Sequence, residues 1–287
     1  MKAGAFVLMQ HILPRHWLTA VIWRIARIRH PGFKNFLITK FASAFNVDLE
    51  EVKLNVPEDF ATFNEFFIRE LADGARPIDD DADAIVSPVD GTVSFAGPIR
   101  ADNIFQAKGI EYTLGDLLAT DTQEADQYID GSFATIYLAP YDYHRVHAPM
   151  AGELVAARYV PGDLYSVNEA TVSRIDGLFR RNERLVMHFR TDNGPAALIF
   201  VGALNVGSIS TPWTGEVRPR KSGVVDVLDL GDYPTDVAKG DLLGWFNMGS
   251  TVILLFPKGV CEWDDDLEPG ETLRMGVEIG EIESPDE

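Results

Sequence analysis

Three stretches of this 287-residue chain carry side chains able to move protons or attack a carbonyl. In Tyr141-Asp-Tyr-His-Arg-Val-His147, two imidazoles, His144 and His147, stand three residues apart beside Arg145. Imidazole changes charge near neutral pH, so acid-base chemistry is one reading of the pair. Metal ligation is another, although no third Cys or His follows nearby and positions i and i+3 of a strand point to opposite faces. A structural pair is the third. Pro88-Val-Asp-Gly-Thr92 offers the carboxylate of Asp90, in a sequence that equally suits a plain β-turn. Asn247-Met-Gly-Ser-Thr251 sets the Ser250 hydroxyl beside the Gly249 carbonyl, which the missing Cβ leaves open to approach. Asp90, His147 and Ser250 are the residue types of an orienting group, a base and a nucleophile, and such sets occur in any chain order. His188, inside Leu185-Val-Met-His-Phe189, reads as a strand histidine with an ordinary hydrogen bond.

The elements that must position these groups are mostly strands. From residue 84 to 256 the apolar runs are short, rich in β-formers and separated by turn signals: 85–86, 92–95, 133–138, 154–159, 184–189, 197–201, 224–228 and 251–256. Asp192-Asn193-Gly194 marks a hairpin. The expected class is α+β, mostly β: N-terminal amphipathic helices, then an antiparallel β body with one further helix at 114–119. Ser87-Pro-Val-Asp-Gly-Thr-Val93 and Ala148-Pro-Met-Ala-Gly-Glu-Leu154 share the form x-Pro-x-x-Gly-x-Val/Leu before a strand, a weak sign of a duplicated β unit. The acidic tail 264–287 reads as a fraying end without chemistry.

Charge divides the chain unevenly. It holds 25 Lys and Arg against 44 Asp and Glu, net −19. Residues 1–47 have no acid and seven basic side chains (Lys2, Arg15, Arg24, Arg27, Arg29, Lys34, Lys40), leaving 18 basic and 44 acidic residues, net −26, for 48–287. So acidic a body argues against nucleic acid as a partner, and the basic head calls for an anionic one. Two domains are expected, a basic amphipathic helical segment at 1–47 and a catalytic β-rich domain at 48–287. From Trp17, apolar residues recur at 18, 21, 22, 25 and 28 with Arg24 and Arg27 opposite, and Pro31-Gly32 ends that helix before a second basic-apolar stretch, 33–45. Such a helix lies apolar side down on its own domain with arginines in water, or on a membrane surface, where Trp17 and Trp23 suit the headgroup layer. The stretch is too short and too charged to span a bilayer. Cys261 is the sole cysteine, which excludes an intrachain disulfide and a multi-Cys zinc site, and no metal is expected.

Seven motifs in order resemble the phosphatidylserine decarboxylase proenzymes of the longer, bacterial type. They are Phe66-Phe-Ile-Arg-Glu-Leu71 with Gly74-Ala-Arg-Pro-Ile78; Pro88-Val-Asp-Gly91; Gln106-Ala-Lys-Gly109; Tyr143-His-Arg-Val-His-Ala-Pro149; Tyr159-Val-Pro-Gly-Asp-Leu164 with Ser166-Val-Asn168; Phe179-Arg-Arg-Asn-Glu-Arg184; and Met248-Gly-Ser-Thr251. In the family Leu usually stands where Met248 does, a change that leaves the Gly249–Ser250 pair intact. The resemblance implies a proenzyme that cuts itself: Ser250, deprotonated by His147 with Asp90 orienting the imidazole, attacks the Gly249 carbonyl. Elimination and hydrolysis then leave a large chain, 1–249, and a small chain, 250–287, headed by a covalent pyruvoyl group. That ketone takes up the serine amine of phosphatidylserine and draws off the electrons freed as CO₂ leaves, with His144 as proton donor, giving phosphatidylethanolamine. It further implies a β core similar to biotinyl/lipoyl-type hybrid folds, a peripheral protein on the cytoplasmic face of a bacterial membrane, and a heterodimer of the two chains that itself pairs. A conventional triad hydrolase or a non-catalytic membrane module would instead leave one intact chain.

Overall fold

The computed structural model describes residues 2–107, 110–120, 122–206 and 208–283, so Lys108 and Gly109 of the motif at 106–109 lie outside the described residues. Its centre is an antiparallel sheet in the order Asp226–Val227, Gly152–Val160, Arg184–Thr191, Gly194–Val201, Thr251–Phe256, Ser132–Tyr137, Gly91–Pro98 and Thr272–Leu273, with Asp236–Val237 also on Gly152–Val160. Thr251–Phe256 lies in the middle, buried at all six positions, which is why its sequence is an unbroken apolar run and not an alternation. Val252 faces Ile136 on one neighbour and Phe200 on the other. The turn at 192–193 joins Thr191 to Gly194 as the sequence indicates, and Gly194 takes a φ of 124° that suits glycine alone. The run at 224–228 shortens to the two-residue strand Asp226–Val227.

The two Pro-x-x-Gly segments meet face to face. Val86 N donates to Pro149 O at 3.0 Å and His147 N donates to Pro88 O at 2.8 Å. This reciprocal pair sets the Asp90 loop against the end of the strand Arg145–His147.

Three helices form the head: α1 Lys2–Ile12, α2 Arg15–Ala26 and α3 Pro31–Phe45, followed after a loop by the short α4 Phe63–Phe67. Lys2–Ile12 lacks the spacing that marks α2. Pro31 does more than end α2: it opens α3, a position where its missing N–H costs nothing, and the His30 ring accepts from Phe33 N. Ile38 and Ala42 of α3 share one apolar cluster with Phe60, Phe63, Phe66 and Phe67, so the head is built into the chain beyond residue 47. Each buried ring stabilises that junction by about 1.5–3 kcal/mol.

α2 is turned inside out relative to a water-facing helix. Its polar groups face the body: Arg15 pairs with Asp163 at 2.9 Å, His16 Nε2 approaches Gly162 O, Thr19 accepts from Asn205 N, and Arg27 and Trp23 both donate to Glu216. Trp17 at 66% and Ile25 at 40% face out together with Arg24, followed by Ile28 at 39% just past the helix, beside Ile12 at 80% in α1 and Phe36 at 57% in α3. No helix among the described residues is long and apolar enough to cross a membrane.

The acidic tail corrects the sequence expectation. Residues 272–273 extend the central sheet, and Glu278–Ile282 lies between Ala84–Val86 and Cys261–Trp263 in a second sheet. Leu273, Met275 and Ile279 are buried, and this short alternation, diluted by acids, is what the composition hid.

Candidate active site

Gly249 and Ser250 lead directly into the central strand, and both sides of their loop are fastened. Asn64 of α4 donates to Asn247 O at 2.7 Å, Asn247 Nδ2 donates to Ser208 Oγ and Ser210 Oγ, and Leu138 N donates to Ser250 O at 2.8 Å. The Ser250 hydroxyl is buried and donates to Val201 O. Gly249 packs against His144: a Cβ here would stand 3.2 Å from His144 Cε1 and 3.6 Å from Leu138 O. Beside Gly249 opens a pocket of about 340 Å³ lined by Phe41 and Phe45 of α3, Phe67, Pro140, Asn205 and Met248. The head therefore forms one wall of the space next to the Gly249–Ser250 bond.

His144 is fully buried and stacks on Phe67, ring centroids 4.1 Å apart and 12° from parallel. Its Nε2 has a long 3.5 Å approach to Pro140 O, and its Nδ1 has no hydrogen-bond partner among the described residues. Burial, aided by the nearby Arg69 cation, pulls the imidazole pKa down to about 3, so it is neutral at physiological pH. Arg69 is itself buried, which lowers its own pKa to about 10, and it straps the loop by donating to the carbonyls of Tyr141 and Asp142.

His147 ends the strand Arg145–His147, which begins just after His144, and its ring meets different neighbours. Its Nδ1 meets Gly240 O at 2.8 Å, and a carbonyl only accepts, so Nδ1 carries the hydrogen. Nε2 then holds the lone pair, and Tyr143 Oη donates to it at 3.2 Å. Burial lowers the His147 pKa, opposed by the bond to Gly240, while burial pushes the Tyr143 phenol up to about 12, keeping it a donor.

Asp90 is buried and held by a fork. Arg76 Nε donates to Oδ1 at 2.8 Å and Nη2 to Oδ2 at 2.5 Å, while Met275 N donates to Oδ1 at 2.9 Å. Glu51 bridges Arg76 to Arg274. Burial disfavours the Arg76 cation, yet the bonds to Asp90 and Glu51 hold its pKa above the usual range. These groups line a second, polar cavity of about 220 Å³ that also receives Asp142, whose carboxyl burial lifts to about 6.

The structure thus sets His144 against Gly249, and joins the His147 and Asp90 loops through the Pro88 carbonyl. It makes no direct hydrogen bond between Asp90 and His147 or between His147 and Ser250: Arg76, Gly240, Tyr143 and Val201 take those positions. Arg76 and Phe67 stand in the motifs at 66–71 and 74–78 but carry no role in the sequence reading, and the Met275 and Gly240 contributions are backbone atoms without a sequence signal. His188 belongs elsewhere, with Nε2 3.0 Å from Arg158 Nη1 and burial pulling its pKa down to about 4. Among the described residues no group of three or more His, Cys, Asp or Glu is arranged to hold a metal ion.

An antiparallel β body, a helical wall packed onto it and a Gly-Ser junction beside buried imidazoles define a class that comparison with known proteins makes specific. A phosphatidylserine decarboxylase family model matches residues 63–281, and a second model, described as PSD, matches residues 5–46. The chain is 45% identical over 284 residues to a protein of Saccharophagus degradans, covering 99% of each chain. It is 46% identical over 283 residues to one of Azotobacter vinelandii (98% of this chain, 99% of the relative) and 45% identical over 276 residues to one of Alcanivorax borkumensis (96% and 95%). All three are named phosphatidylserine decarboxylase proenzyme. The chain belongs to the phosphatidylserine decarboxylase family.

Proposed function

We propose that this chain cuts itself between Gly249 and Ser250 and, with the pyruvoyl group so formed, decarboxylates phosphatidylserine to phosphatidylethanolamine at a membrane surface. The observation that carries the reading is the position of Gly249–Ser250, between a neutral imidazole and a pocket walled by the head, at the start of a strand held on both sides. After a cut, residues 251–256 would stay paired with Gly194–Val201 and Ser132–Tyr137, residues 272–273 with Gly91–Pro98 and residues 278–282 with Ala84–Val86, so the small chain stays in place.

In the first step Ser250 Oγ leaves the Val201 carbonyl and attacks the Gly249 carbonyl carbon. Its proton passes to His147 Nε2, whose Nδ1–H is fixed by Gly240, and then to the Ser250 nitrogen as the Gly249 C–N bond breaks, leaving an ester. Asp90 shares its carboxylate between Arg76 and the imidazolium. Removal of the Ser250 Cα proton expels the Gly249 carboxylate; one water then replaces the nitrogen, which departs as ammonia. The residue-250 site suits the ketone that results, since Gly249 presents no Cβ and the neighbouring 340 Å³ pocket can admit a headgroup. The pyruvoyl group supplies an electron sink for the departing CO₂. Once CO₂ has left, neutral His144 gives an N–H proton to the carbon that carried the carboxylate while its other ring nitrogen takes a proton from water, so the imidazole ends neutral. The outward apolar side chains of the head, with Arg24, Arg29 and Lys40, hold the protein on the cytoplasmic face of an anionic bilayer where this lipid resides.

One observation favours a second assignment of bases: His144, not His147, touches Gly249 and is neutral, so it could take the Ser250 proton itself. Alanine variants of each histidine decide between them. The whole reading is tested by measuring cleavage by intact mass and CO₂ release from phosphatidylserine vesicles: both are expected, and Ser250→Ala is expected to lose both. CO₂ release from a protein that stays uncut would sink it.

A further inference from the structure

The body has one stretch with the same composition as the head. Val217-Arg-Pro-Arg-Lys-Ser-Gly-Val-Val225 contains no acid and three basic side chains within four residues, a density found nowhere else in the −26 body. Arg218, Arg220 and Lys221 are exposed, and so are Val224 at 77%, Val225 at 38% and, just beyond, Val227 at 71%. A chain with this much buried apolar surface gains nothing in water by presenting three β-branched side chains beside a cationic cluster.

Contacts fix where this stretch lies. Gly162 N donates to Arg220 O at 3.0 Å, and Gly162 O in turn meets His16 Nε2 of α2 at 3.0 Å. A Cβ on Gly223 would stand 3.6 Å from the Pro161 ring. At the other end of α2, the Arg218 guanidinium lies 4.1 Å from the Trp23 ring centroid. The stretch therefore runs alongside α2, from Trp23 to the end that carries His16 and the outward Trp17. Arg220 is occupied by Asp226, while Lys221 makes no ion pair among the described residues. Arg218 and Lys221 are the charges available to phosphates.

We infer that residues 217–225 form a second membrane contact beside α2, with Arg218 and Lys221 on anionic headgroups and Val224 and Val225 in the interfacial layer. The occupant is a lipid surface because the stretch flanks α2 along its length, exposes valines beside its cations and matches an anionic bilayer in charge, whereas the rest of the body is repelled by one. This inference rests on the head being the primary membrane contact. Its consequence is orientation: two lines of anchorage, one along α2 and one along 217–225, would prevent the protein from rolling about the helix axis and keep the pocket wall of α3 aimed at the bilayer.

The test is site-directed labelling with an environment-sensitive nitrobenzoxadiazole probe. Cys261 is buried and burial pushes its thiol up to about 12, so introduced cysteines react selectively, with the unsubstituted protein as control. Probes go on Val224→Cys, on Trp17→Cys in the head and on Val277→Cys, an exposed body position. Adding phosphatidylcholine vesicles containing phosphatidylglycerol is expected to raise emission about twofold or more at 224 and 17, and not at 277. A response at 17 with none at 224 overturns the inference and leaves the head reading standing. Silence at both removes the head reading as well, and an equal response at 277 overturns the inference as non-specific adsorption. Independently, the unlabelled double variant Arg218→Gln/Lys221→Gln is expected to bind these vesicles on the order of 30-fold more weakly at low ionic strength; unchanged binding contradicts the inference.

Discussion

His144 and His147 are three residues apart, yet their surroundings share almost nothing. The His144 side is largely apolar: a parallel Phe67 ring and the Gly249 Cα, beside a pocket walled by the head. The His147 side is polar: a carbonyl, a phenol and, one loop away, a carboxylate forked by Arg76. One sequence motif thus supplies two imidazoles in different states, a neutral one packed against Gly249 and an oriented one with its lone pair defined. The comparison shows that two imidazoles three residues apart, one just before the strand Arg145–His147 and one at its end, can be given opposite surroundings, and that the tie between them is backbone geometry.

The largest effect should come from the oriented side. His147→Ala is expected to slow cleavage by about 10³-fold, leaving the protein full-length on a gel, because a positioned base contributes roughly 10²–10⁴. His144→Ala is expected to cut normally while CO₂ release falls by about 10²-fold or more. If the two phenotypes are exchanged, His144 is the base for cleavage and the division runs the other way.

Arg76→Met leaves the Asp90 carboxylate buried without its fork and should cost about 3–5 kcal/mol of stability by denaturant unfolding, whereas Arg76→Lys should recover part of it. A change below about 1 kcal/mol would mean that Met275 N alone suffices for Asp90. Acid sharpens the contrast further. The His144 pKa is lowered in the folded state, so its neutral burial costs nothing above the ordinary histidine range. As pH falls below 6.5, the unfolded chain binds a proton that the native state refuses. At pH 5 that amounts to about 2 kcal/mol. Asp142 and Glu183, with pKa values raised to about 6 and 7, act with the opposite sign. The clean measurement is therefore a difference: His144→Asn should gain about 2 kcal/mol on the parent between pH 7 and pH 5, and parallel curves would refute a neutral His144.

The smallest expected effect concerns the head. Raising salt from 0.05 to about 0.5 M should weaken vesicle binding several-fold while leaving the rate of self-cleavage unchanged, since exposed charges are screened and a buried site is not. Deleting residues 1–47 is a poorer test, because Ile38 and Ala42 support the cluster that holds Phe67 against His144.

Much of this was legible in the residues. The strands that meet at Ser250 are continuous apolar runs, and they are the part of the site the residues announce most plainly. What escaped was carried by atoms and surroundings without a pattern. The Gly240 carbonyl and the Met275 amide belong to residues whose side chains are irrelevant to the site. The tail that bears Met275 hides a three-residue apolar alternation among acids. The basic, acid-free head suggests an anionic partner, but only packing reveals that Arg15 and Arg27 are spent on Asp163 and Glu216, so that the outward side of α2 keeps Arg24 among exposed apolar side chains.

The most direct test of the central claim is the intact mass of the purified protein beside its Ser250→Ala variant, each assayed for CO₂ release from phosphatidylserine. The expected result is two fragments for the parent, 1–249 and 250–287, the smaller without an N-terminal amine, against one inactive full-length species for the variant. A parent that remains a single 287-residue chain while releasing CO₂ would contradict it.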